Sequence, residues 1–260
     1  MRMTNQHTSL IKAVIPLLLV LLSTGVTAAS SGDIPRLADG KPDFNGIWDR
    51  PRVGNMTQDV IGSCGSGSEG CSSISSGPMK FTAEGLAVHT GPKIDYPARC
   101  LPWGYTRAYH TTYPIMYVQT PDVFAILFES NNIFHIVPTD GREHPEEVEL
   151  TWMGKSVGRY EGDTLVIDSR GFNGLSWLDN GGEHPASTEM RMEERIRHLD
   201  ADRLEYIITI TDPRYYEEPI VNTRVFVRMD PQTELYEYWC MENNKVLLEG
   251  LLPDTVTSEE

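Results

Sequence analysis

The chain has 260 residues, 37 acidic against 22 basic side chains, and a formal net charge of −15. That balance repels nucleic-acid phosphates and anionic lipid headgroups, which disfavours nucleic acid as a partner. The length suits one sizeable core with an irregular arm, and nothing in the composition fixes an oligomeric state.

Residues 1–29 read as a signal peptide. Arg2 and Lys12 frame a polar start, residues 13–22 form an apolar run, and Ala28-Ala29 place a cleavage point before Ser30. The run is shorter than the roughly 20 residues that cross a bilayer. No later stretch is long and apolar enough to span. The mature protein is therefore expected to be exported, periplasmic or secreted, with no membrane span. Four cysteines follow the leader, and an oxidising compartment favours two disulfides. Of the three possible pairings, the preferred one joins Cys64 to Cys71 across a short Gly/Ser loop and Cys100 to Cys240. The cysteines form no Cys-x-x-Cys, and no metal is expected.

Residues 30–110 form an arm rich in breakers. One short strand is expected at 43–49, and a surface loop at 62–77 unless a disulfide ties it down. A short helix is expected at 81–86 with Thr82 as N-cap, followed by a turn at 100–104. From 111 to 245 the pattern becomes repeated short strands, at 115–120, 123–129, 133–137, 147–153, 156–160, 164–170, 189–197, 203–211, 221–229 and 234–240. Pro121-Asp122, Glu161-Gly162-Asp163, Asp200-Ala201-Asp202 and Asp230-Pro231-Gln232 supply the turns. Eight to ten strands with short connections must dispose of their edges. An all-β, antiparallel up-and-down barrel does so directly, with residues 246–260 as a tail; a half-barrel or sandwich is the competitor.

Two polar turns stand out. Thr139-Asp140-Gly141-Arg142-Glu143-His144-Pro145 and Asp179-Asn180-Gly181-Gly182-Glu183-His184-Pro185 each place a carboxylate and an imidazole before a proline. Titratable groups concentrated in loops between strands mark a candidate site. Along 189–197, alternation puts Glu194 on one face with Met190, Met192 and Ile196. A carboxylate there is either paired, with Arg224 or Arg228 as partners, or raised in pKa and suited to acid–base work. His135 shares a face with Ile133 and Val137, as a core histidine or a second interior acid–base group.

The catalytic candidates are therefore His144, His184, Asp179, Glu194 and His135, with Asp179 or Glu183 orienting an imidazole. Arg142 and Arg159 would stabilise an oxyanion, and Tyr109, Tyr113, Trp152 and Trp177 would line the substrate. The chain has no Gly-x-Ser-x-Gly elbow, phosphate-cradling loop, dinucleotide fingerprint or His-Glu-x-x-His, so the expected chemistry is cofactor-free. Two functions fit. One is an exported lyase, isomerase or hydrolase acting on a small, partly apolar molecule in a barrel-mouth pocket. The other is a carrier of a small hydrophobic or aromatic ligand.

Pro42-Asp43-Phe44-Asn45-Gly46-Ile47-Trp48, Arg99-Cys100-Leu101-Pro102, Val118-Gln119-Thr120-Pro121 and the first His-Pro turn occur in this order. Ser156-Val157-Gly158-Arg159-Tyr160-Glu161-Gly162-Asp163-Thr164-Leu165-Val166 and Glu193-Glu194-Arg195 follow. The string resembles a group of uncharacterised exported bacterial proteins over most of residues 33–243, with Tyr160 where that group has Trp. The resemblance implies no particular activity. Gly46-x-Trp48 ahead of a barrel meander is also similar to the opening of lipocalin-like (calycin) barrels. That likeness implies a Trp closing the barrel floor under a late-strand arginine, Arg224 or Arg228.

Overall fold

A computed structural model describes residues 34–242 and Asn244. The leader expected at 1–29 and the tail expected at 246–260 lie outside the described residues. In chain order the elements are β1 (Gly46–Asp49), β2 (Val60–Ser63), β3 (Glu69–Ser75), α1 (Ala83–Thr90), α2 (Tyr105–Ala108), β4 (Ile115–Gln119), β5 (Val123–Phe128) and β6 (Ile133–Pro138). β7 (Lys155–Glu161), β8 (Thr164–Arg170), β9 (Arg191–His198), β10 (Arg203–Thr211) and β11 (Ile220–Arg228) complete the series.

One antiparallel sheet runs β6-β5-β4-β1-β11-β10-β9-β8-β7 and curls until its ends nearly close a barrel. β1 comes from the arm and enters the wall between β4 and β11. The β2–β3 hairpin lies beside the starting half of β11, so both edges of β11 are occupied. Because every neighbour in this nine-strand path is antiparallel, its two end strands point the same way. β6 and β7 therefore meet across a parallel seam, closed by side chains. His135 Nε2 and Ser156 Oγ share a hydrogen bond of 2.6 Å across it. One step along, Gly158 lies beneath Val137 and Thr139, where a Cβ would fall 3.0 and 2.9 Å from their methyl carbons. The glycine of the Gly-Arg-Tyr-Glu-Gly-Asp string is thus a close-approach residue.

The alternation that predicts the strands also predicts their faces. Glu194 and Ile196 of β9, Tyr206 and Ile208 of β10, and Arg224 and Phe226 of β11 all point into the lumen and are buried. The helical turn α2 plugs one end and inserts Tyr105 and Tyr109. Tyr109 stacks on Tyr206 at 5.0 Å, and Tyr206 on Phe226 at 5.0 Å. Each such side chain contributes roughly 2–3 kcal/mol by leaving water. Elsewhere in the lumen Trp48 donates through Nε1 to the Phe44 carbonyl at 3.0 Å, and the Arg228 guanidinium lies 4.3 Å from its ring. Of the two late-strand arginines, Arg228 is therefore the one that packs across Trp48.

Both preferred disulfides are formed, Cys64–Cys71 and Cys100–Cys240. The first braces the Gly/Ser-rich stretch, which forms the β2–β3 hairpin. Thr82 caps α1 by accepting from the Gly85 N–H at 3.0 Å. Two expected strands are absent. Residues 147–153 contribute only a single bridge from Thr151 to Phe172. Residues 234–240 find no free sheet edge beside β11 and instead run past Glu129 and Asn132, which accept from the Tyr236 and Tyr238 N–H groups. Two disulfides fit an oxidising compartment. Among the described residues no helix is long and apolar enough to cross a membrane.

Candidate functional site

The lumen holds a sealed polar network. Glu194 accepts from the hydroxyls of Tyr206 at 2.8 Å and Tyr105 at 2.9 Å. Burial pushes its carboxyl up to about 7, against the pull of those two hydrogen bonds and of Arg224. Among the described residues no arginine pairs with it directly; tyrosines take that place. Arg224 donates instead to His110 Nε2 at 2.6 Å, while His110 Nδ1 donates to the Thr106 carbonyl. This pair of contacts fixes His110 as neutral imidazole. Burial, then Arg224, holds its pKa well below the ordinary value. Arg50 reaches the carbonyls of Ala108 and Tyr113 and the hydroxyl of Thr111. These contacts tie the plug to the wall beneath aromatic rings, while Arg50 Nε and Arg224 Nε and Nη1 are buried without a partner among the described residues.

A cavity of about 570 Å³ opens at the seam between β6 and β7. Phe134, Ile136 and Met153 form its apolar wall, and Phe134 is 64% exposed. His135, His144 and Ser156 line it as well, with Arg142 and Lys155. His144 comes from the first His-Pro turn and reaches the end of β8. Its Nε2 donates to Asp168 Oδ1 at 2.6 Å and lies 3.1 Å from the Asp168 carbonyl. Nδ1 is buried and has no partner among the described residues. The carboxylate thus fixes the tautomer and leaves the Nδ1 lone pair unsatisfied. An unsatisfied buried acceptor costs about 1–3 kcal/mol, which a bound molecule would recover.

His135 is of a different kind. Burial, then Lys155, lowers its pKa to about 4, so it is neutral at pH 7. Ser156 Oγ bonds both His135 Nε2 and Ser169 Oγ, each at 2.6 Å. The Tyr105 ring lies 4.5 Å from the imidazole on the lumen side. Tyr105 therefore stands between His135 and Glu194, touching both.

The second His-Pro turn builds another pair. Asp179 Oδ2 accepts from His184 Nδ1 at 2.7 Å and from the Met56 N–H at 2.8 Å. Asp179 is fully buried, and the neighbouring Gly182 leaves room for the pair: a Cβ there would collide with the His184 ring and lie 2.6 Å from Asp179 Oδ2. Asn180 bonds the His110 carbonyl and Arg107, and Glu183 pairs with Lys93. His184 stacks on His89 with ring centroids 5.3 Å apart. Burial is the largest effect lowering the His89 pKa.

The sequence-selected residues thus fall into separate groups. His135, His144 and Arg142 share the seam cavity; Asp179 and His184 form a dyad that does not line it; Glu194 and Tyr109 lie in the lumen. Trp152 and Trp177 line an aromatic groove. Tyr113 packs on Tyr238 at 5.3 Å. Arg142 is held by Asp140, and Arg159 by Glu161 on the exposed face of β7. Sequence reasoning missed Asp168, Ser156, Tyr105 and His110. Asp168 lies two residues past the Ser156–Val166 string, and strand alternation places it on the outer face; its pairing with a turn 24 residues earlier has no local signal. Among the described residues one group, Asp49, Cys64 and Cys71, has metal-ligating atoms close together, but its two cysteines are joined as a disulfide. No known protein-family model matches the chain, and no curated protein sequence does either.

Proposed function

We propose that the protein is an exported, cofactor-free acid–base enzyme of the lyase or isomerase type, acting on a small, partly apolar molecule in the seam cavity. One observation carries this reading: His144, oriented by Asp168 through Nε2, lines the cavity with Nδ1 unpartnered. In this mechanism Nδ1 takes a proton from substrate, and the Asp168 carboxylate stabilises the imidazolium that forms. Lys155 faces the developing oxyanion or enolate, while Phe134, Ile136 and Met153 hold the apolar part. His135, neutral and bonded to Ser156, shapes the inner wall and carries no charge at pH 7. The leader sequence and the two disulfides support export.

The apolar wall also supports a second reading, a carrier of a small hydrophobic ligand. One experiment separates the two. Wild type and His144→Ala are incubated in D2O with a small-molecule extract, and mass spectrometry follows consumption, new products and deuterium uptake. Product or deuterated substrate from wild type alone supports catalysis. The same molecule returned unchanged by both proteins overturns it in favour of the carrier.

A further inference from the structure

A second concave site lies away from His144. It is a groove of about 340 Å³ lined by Trp152, Trp177 and Tyr96, with Leu101, Leu175 and Ile94 at its edge. Leu175 is 62% exposed and Ile94 is 55% exposed. Tyr96 donates through its hydroxyl to the Trp103 carbonyl and accepts from the Trp177 N–H. Its ring lies 5.5 Å from Trp152 and 5.3 Å from Trp177, so the three form an aromatic corner. The volume is at the small end for ligand pockets and suits a one- or two-ring molecule.

The groove's charges say which ring. Arg107, outside the groove lining, sits 4.9 Å from the Trp177 ring and 5.1 Å from the Tyr96 ring. A cation already placed against these rings disfavours a second one from the groove. Lys93 and Glu183 on the wall are paired with each other, and Arg99, which also lines the groove, is not without a partner, so none of the three calls for an ionic ligand. The indole N–H groups of Trp152 and Trp177 have no acceptor among the described residues. Indole nitrogen is a donor only, so the complementary ligand brings an acceptor oxygen. We propose that this groove is a binding site for a neutral aromatic molecule bearing a phenol, aryl-ether or aryl-carbonyl oxygen, stacked between Trp152 and Trp177. The assignment is independent of the acid–base reading of the seam.

Titration calorimetry of the full chain with 2-methoxyphenol tests it, with toluene and benzylammonium as probes lacking the oxygen or carrying a charge. Saturable one-to-one binding is expected. Trp177→Leu and Leu175→Asp should each weaken it by about ten-fold or more. Leu175 lies at the exposed edge, so its substitution leaves folding intact and keeps the test open if Trp177→Leu misfolds. His144→Ala should bind as wild type does. Absence of saturable binding overturns the proposal, as does full binding by Leu175→Asp or loss of binding in His144→Ala. Equal affinity for toluene or benzylammonium overturns the ligand class.

Discussion

His144 donates through Nε2 to Asp168 Oδ1 at 2.6 Å, and that bond locks the turn before β7 onto the last residues of β8. If His144 is the base, Asp168 acts through it as a positioning residue. His144→Ala should lower turnover on the order of 10²- to 10⁴-fold. Asp168→Ala should give a smaller loss and a signature that a structural role would not: long-range ¹H–¹⁵N spectra should show His144 moving from pure Nε2–H toward the Nδ1–H tautomer. An unchanged tautomer in Asp168→Ala would separate the carboxylate from the imidazole's function.

The buried carboxyl of Glu194 predicts a pH dependence. Its folded pKa of about 7 lies above the value of 4.5 for an unperturbed glutamate. Between these values the folded state holds a proton that the unfolded state has lost, so stability falls as pH rises from about 4.5 to 7 and is flat above. The full span amounts to roughly 3 kcal/mol. Glu194→Gln removes this slope and should be the more stable protein at pH 8, because the amide places no charge among Tyr105, Tyr206 and Phe226. Urea titrations of both proteins at pH 5 and pH 8 check the sign; a wild-type slope persisting in Glu194→Gln would assign the dependence to other groups.

The two disulfides should differ in worth. Cys64–Cys71 closes a sequence separation of 7, whereas Cys100–Cys240 closes one of 140. Loop-closure entropy gives about 2 kcal/mol for the short loop and about 5 kcal/mol for the long one. Replacing both cysteines of the long link by serine should therefore lower the melting temperature more than the same change at the short link. Calorimetric scans of the two double variants decide it, and an equal drop would show that the tail packs as firmly without its covalent tie.

What the sequence revealed and what it hid follow one physical division. Strand alternation is local, so Glu194 could be placed in the lumen from Met190, Met192 and Ile196 alone, and the meander with its turns implied the barrel. Compartment and spacing favoured, among three possible pairings, the one that formed, and Asp179 stands beside His184 because both lie in one turn. α2 escaped because a single helical turn, Tyr105-Thr106-Arg107-Ala108, has no periodicity to read. Residues 234–240 carry strand-like side chains, but whether they pair depends on a free edge, and β1 and β3 already occupy the open side of β11. The seam cavity was hidden for the same reason. It exists only once β6 and β7, joined by residues 139–154, come together as parallel neighbours.

Gly182 makes the last prediction. The Asp179–His184 pair is packed so closely over it that a methyl group at 182 would displace the imidazole. Asp179, fully buried, would then lose a partner and keep only its backbone donors. Breaking a buried ionic hydrogen bond from one side costs on the order of 3 kcal/mol, and Gly182→Ala should lose about that much. The same substitution in a His184→Ala background should cost far less than it does alone, because the side chain it displaces is already gone. Chemical denaturation of the two single variants and the double variant measures this coupling. Additive losses would mean that the glycine serves the path of the turn itself, and that the pair forms without needing the space.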